Sequence, residues 1–86
     1  HAEQEQNGDP LYALQRAFEA EQVRCVLAKM PAPAREILLL RHVQELDFDE
    51  IAQIMGCTPL AAPVRLFRAR KQFQTLFLNL LANEEK

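Results

Sequence analysis

Apolar positions in this chain recur with the three-and-four spacing of helices, in four blocks parted by proline, glycine or polar breaks. The first block predicts a helix over about 10–29, with Asp9 as N-cap and Pro10 at the first helical position. Leu11, Leu14, Phe18 and Cys25 share one stripe, joined by Val26, with Val23, Leu27 and Met30 beside it. Met30-Pro31-Ala32-Pro33 ends that helix, because a residue before proline is pushed out of the helical region. A second helix over about 33–43 holds four consecutive apolar residues, Ile37 to Leu40, and is expected to be buried on more than one side. The third, about 48–55, is the best signposted. Asp47 and Glu50 form a capping box, Leu46 and Ile51 a hydrophobic staple, and Gly56 a left-handed stop. Thr58 can cap a fourth helix over about 59–82, in which Ala62, Leu66, Ala69, Phe73, Leu76 and Leu80 make a core-facing seam.

Composition narrows the class. Eighty-six residues make one small domain, here 9–86 behind a polar tail or linker end at 1–8. With 49% hydrophobic and 26% charged residues the chain is globular rather than disordered. Two glycines, one tyrosine and no tryptophan fit poorly with sheets. The expected fold is all-α: a compact four-helix domain containing a helix-turn-helix. No run approaches the ~18 apolar residues of a membrane span, and the acidic, amide-rich start is unlike a signal peptide. A chain opening on His1 is expected to be cut from a longer one, with His1 a tag remnant.

Charge adds an asymmetry that the net value of −2 conceals. Residues 1–57 carry five basic side chains against ten acidic ones, whereas 58–81 carry Arg65, Arg68, Arg70 and Lys71 and no acid. Such a cluster is either a footprint for phosphate or a solvated helix face. Cys25 and Cys57 lie inside apolar helical patterns and are expected to act as small hydrophobes in a reducing cytoplasm, one disulfide being the alternative. His1 and His42 have no ligand-spaced neighbours, so neither a metal nor a cofactor is expected. There is no nucleophile–base pair or glycine-rich phosphate loop, and Asp47, Asp49 and Glu50 are explained by capping and the helix dipole. An enzyme is not expected.

A short helix, the turn Gly56-Cys57-Thr58 and a longer basic helix make a helix-turn-helix; Ala52, four before Gly56, lets the helices approach. A hairpin serving only as core is the competing interpretation. Three stretches, Arg35-Glu36-Ile37-Leu38-Leu39-Leu40-Arg41, Glu50-Ile51-Ala52-Gln53-Ile54-Met55-Gly56-Cys57 and Arg65-Leu66-Phe67-Arg68-Ala69-Arg70-Lys71, together resemble region 4 of a bacterial sigma factor, nearest the extracytoplasmic-function group. The likeness covers about residues 9–75. Its Glu-Ile-Ala part is shared with LuxR-type response regulators; the basic ending favours sigma factors.

The resemblance implies a domain that reads the −35 promoter element with its last helix and docks on the flap of the RNA polymerase β subunit, with an anti-sigma factor as a further partner and no membrane. By motif position it implies DNA contacts from Arg65, Phe67 and Arg68, with Thr58 at the helix start and Arg41 and Lys71 near the phosphate backbone. Phe67 has a core or partner contact as its alternative, and Arg70 reads as a surface or ion-paired residue. One departure matters: where the family usually has threonine, valine and a basic residue, this chain has Ala61-Ala62-Pro63. With Thr58 as cap, Pro63 is the fifth helical residue, where proline costs ~3 kcal/mol in a regular helix. The other start is near Pro63 itself. Either way a donor and a charge are missing, so the alternative function is a sigma-like interaction domain, binding polymerase or anti-sigma factor, with weakened or lost DNA reading. Leu76, Phe77, Leu78, Leu80 and Leu81 leave the last turns apolar nearly all round, which calls for cover by the first helix or by a protein partner at Phe77, Leu78 and Leu81.

Overall fold

The computed structural model describes residues 10–84, with helices α1 (Pro10–Lys29), α2 (Ala32–His42), α3 (Phe48–Met55) and α4 (Ala61–Glu84), and no strand among the described residues. The all-α expectation holds, with bounds within two residues of those expected. The 1–8 tail, the Asp9 cap and the side chains of Leu14 and Phe18 lie outside the described residues.

Helix α4 is the spine. α1 and α2 both pack on it, and α3 packs against α2 and α4. The buried cluster is Met30 from the end of α1; Ile37, Leu38 and Leu40 from α2; Ile51 and Ala52 from α3; and Ala62, Leu66 and Ala69 from α4. The expected seam of α4 is therefore real, fully buried over its first half and half-buried at Phe73, Leu76 and Leu80. Small residues at 52, 62 and 69 let the helices approach closely at the crossing.

Helix α1 departs from its expected stripe. Leu11 is 67% exposed and Cys25 is exposed, while Gln22, Val26 and Met30 are buried. The face used is i, i+4, i+8 through Val26, and successive residues turn by about 100°, which swings Cys25 off it. Cys25 is thus not a core hydrophobe; Cys57 is half-buried, and both thiols are free. In α2 the four-residue apolar run splits the same way: Ile37, Leu38 and Leu40 are buried, but Leu39 is 38% exposed.

Two arginines hold the turns. Arg35 donates from its guanidinium to the carbonyls of Leu27 (3.2 Å) and Met30 (3.3 Å), satisfying acceptors at the end of α1. Arg41 donates to the Leu46 carbonyl at 2.9 Å and lies 4.8 Å over the Phe48 ring, tying the end of α2 to the start of α3. Between them Glu45 adopts φ 57°, a left-handed conformation in a residue other than glycine. The assembly measures 45 × 38 × 15 Å with a radius of gyration of 15.8 Å. About 12 Å is usual for a compact domain of this length, so the core is a thin layer with little to spare on either face.

Candidate nucleic-acid interface

The bend between α3 and α4 is built residue by residue. The Asp47 carboxylate accepts from the Glu50 amide at 2.8 Å, and the Glu50 carboxylate accepts from the Asp47 amide at 3.1 Å, so the expected capping box is complete. At the other end Gly56 sits at φ 70°, ψ 36°, and the amides of Gly56 and Cys57 both donate to the Ala52 carbonyl. That closes the helix and turns the chain.

Thr58 then caps the next turn, its hydroxyl oxygen accepting from the Ala61 amide at 3.1 Å and its carbonyl from the amides of Ala61 (3.0 Å) and Ala62 (3.2 Å). The next amide in the series would be that of residue 63, and proline has none. Continuous helix is consequently counted from Ala61, between the two starts left open by the sequence, and the interruption stays at the exposed mouth of α4. The connection is 56–60 rather than three residues.

Arg65 and Arg68 are exposed and make no side-chain hydrogen bond or ion pair among the described residues. Both line one side of a shallow hollow between α2, α3 and α4. Phe67 is 59% exposed, so it is not core, and the Lys71 ammonium lies 5.3 Å over its ring. Arg70 donates to the His42 imidazole at 3.2 Å across the α2–α4 seam. Arg41, in contrast, is half-buried and engaged by Leu46 and Phe48 as described; the structure does not leave it among the free cations. Its position was readable from the motif, its partners were not. Leu60 and Val64, both exposed, were not singled out from sequence, although the 62–66–69 seam places them on the opposite side of α4.

The end of α4 is partly covered. Phe77 is half-buried and stacks on Phe73 with ring centroids 5.8 Å apart, Leu81 is half-buried, and Leu78 is 57% exposed. Nearby, a hollow of about 290 Å³ opens between α1, α2 and α4, lined by Val23, Leu27, Leu38, Leu39, Val43 and Phe73 together with His42 and Arg70. No helix among the described residues is long and apolar enough to cross a membrane, and no three His, Cys, Asp or Glu side chains among them are grouped to hold a metal.

The family model described as "Sigma-70, region 4" matches residues 20–73, more than half of the chain, including α2, α3, the turn and α4 as far as Phe73. The chain belongs to the sigma-70 region 4 family. It is also similar to the RNA polymerase sigma factor YlaC of Bacillus subtilis (strain 168), with 34% identity over 65 residues, covering 76% of this chain and 38% of that protein. The chain thus spans well under half the length of this relative. No solved structure matches it significantly. The resemblance to region 4 of extracytoplasmic-function sigma factors, drawn from three sequence stretches, is borne out by these matches.

Proposed function

We propose that this domain directs transcription initiation as the region 4 of a cytoplasmic sigma factor, laying α4 in the major groove of the −35 element and docking on the flap of the polymerase β subunit. The observation that carries it is the pair of unpartnered arginines, Arg65 and Arg68, on the exposed side of the second helix of a capped helix-turn-helix in a region 4 chain. In this arrangement the second helix meets base edges and the first crosses the backbone. Thr58 orders the mouth of α4, Phe67 and Lys71 face the groove, and Arg41 acts by bracing α3 rather than by touching phosphate. The apolar hollow between α1, α2 and α4, with Leu78 and its half-buried neighbours Phe77 and Leu81, is the surface offered to polymerase or to an anti-sigma factor.

Replacing Arg68 by alanine tests the DNA role. Removal of one phosphate contact should weaken duplex binding and reduce the slope of log K against log salt by about 0.9. Unchanged affinity and slope would refute it. The second reading, an interaction domain that has lost DNA reading, is favoured by Pro63 and by the lack of a polar side chain from Leu60 to Val64. Binding of polymerase without salt-sensitive binding of any duplex would select it.

A further inference from the structure

The inner line of α4 is Ala62, Leu66 and Ala69, all 2% exposed or less. At about 100° per residue, positions 64, 67 and 71 of α4 fall within about 60° of arc on the far side, and position 60 lies on the turn just ahead of the helix. Those positions are Leu60, on the Thr58-capped turn, then Val64, Phe67 and Lys71. Leu60 is 87% exposed, Val64 49% and Phe67 59%. The outermost line of the helix that would enter DNA is therefore apolar for two turns. Cations frame it: Arg65 and Arg68 along one edge, Arg70 along the other, and Lys71 at its C-terminal end against the Phe67 ring.

Resting on the DNA-binding role proposed above, we infer that Leu60, Val64 and Phe67 read thymine C5-methyl groups, so that this domain selects a T-rich strand in its half of the major groove while its arginines hold the flanking phosphates. The chemistry leaves few other choices. Base edges in the major groove present donors, acceptors and one apolar feature, the thymine methyl. Leucine, valine and phenylalanine have no hydrogen-bonding side-chain atom and can contact only that feature favourably. Packed against a G·C pair, the same side chains would strip water from donors and acceptors without replacing it, which disfavours the wrong sequence as well. The surrounding positive charge favours a polyanion over an apolar protein surface as the occupant.

Deoxyuridine, which is thymidine's base without the methyl, gives the test. The 86-residue chain is used to select duplexes from a random pool, and the selected duplex is then remade with deoxyuridine at each thymine in turn. Each methyl in contact should be worth about fourfold in affinity, from the free energy of burying one carbon. Val64→Ser should abolish the thymine–deoxyuridine difference at one step while keeping the salt slope, and Phe67→Ala at another; both residues are exposed, so the fold should survive. Salt-sensitive binding with no difference between thymine and deoxyuridine would overturn the inference and leave the region 4 role intact. Absence of binding to any duplex at low salt would overturn both. A concentration-dependent dimer in sedimentation that Val64→Ser dissolves would assign the stripe to a second copy, and would likewise overturn it.

Discussion

Pro63 can be tested for what it does to the backbone and for what it withholds from DNA, with two substitutions that separate the effects. In a helix interior proline costs about 3 kcal/mol, from a lost hydrogen bond and a clash with the carbonyl four residues back. Here the forfeited bond is the single one to the Pro59 carbonyl, at an exposed turn already secured by Thr58. Restoring it is worth about 0.5–1.5 kcal/mol net. Against that, losing proline loosens the unfolded chain and removes about 0.4–1 kcal/mol. The two nearly offset, so Pro63→Ala and Pro63→Lys should leave the melting temperature within about 8 °C of the parent, in either direction. Only Pro63→Lys adds a cation ahead of Arg65 and Arg68, and it should steepen the salt dependence of DNA binding by about 0.9. Its advantage should vanish near 1 M salt, where the screening length is about 3 Å. Thermal unfolding by circular dichroism and fluorescence anisotropy across a salt series read the two quantities. A larger thermal shift shared by both variants would refute the backbone reasoning, and a slope unchanged by lysine would place residue 63 away from phosphate.

Two further substitution sets probe the scaffold. No atom lies within 4 Å of where a Cβ on Gly56 would sit, so Gly56→Ala should lose about 1–2 kcal/mol through the left-handed backbone alone; Glu45→Gly, at φ 57°, should instead gain up to about 1 kcal/mol. Urea unfolding measures both, and a destabilised Glu45→Gly would show that the turn carries no backbone strain. Arg41→Ala should lose about 1–3 kcal/mol, from a charge-assisted hydrogen bond and a cation–π contact, with a salt slope changed by well under one phosphate contact; a slope reduced by about 0.9 at unchanged stability would make Arg41 a backbone contact after all.

The parts legible beforehand were those written in local chemistry. Asp47, Glu50 and Gly56 act on their own neighbours within a few residues, so their types and spacing sufficed to locate α3 and its stop. The seam of α4 was legible because one partner-facing line runs through the whole helix. Helix α1 was not, since its sequence carries apolar residues around much of its circumference and only packing on α4 chooses Val26 over Cys25. The arginines show the same limit. Arg35, Arg41, Arg65 and Arg68 are alike in sequence, yet two close turns by binding carbonyls and two point to solvent. Which of them is free is a property of long-range placement.

That division explains how so thin a domain can devote its longest helix to two purposes. Ala52, Ala62 and Ala69 are buried at 3%, 0% and 2% exposure, so α3 and α2 sit close to the axis of α4 and need only its inner line for the core. The outer line is then released from packing and can be chosen for what it meets outside. A larger side chain at the buried positions would push α4 away from its braces, because a close-packed interior has no void to absorb it, at about 1–3 kcal/mol. Ala62→Leu should therefore alter DNA affinity without touching DNA, through the tilt of α4, whereas a substitution such as Val64→Ser should alter sequence preference without altering stability. If the proposed reading of bases by Val64 and Phe67 holds, stability and specificity are carried by opposite lines of one helix, and substitutions on one line should leave the quantity governed by the other nearly unchanged unless they move the helix itself.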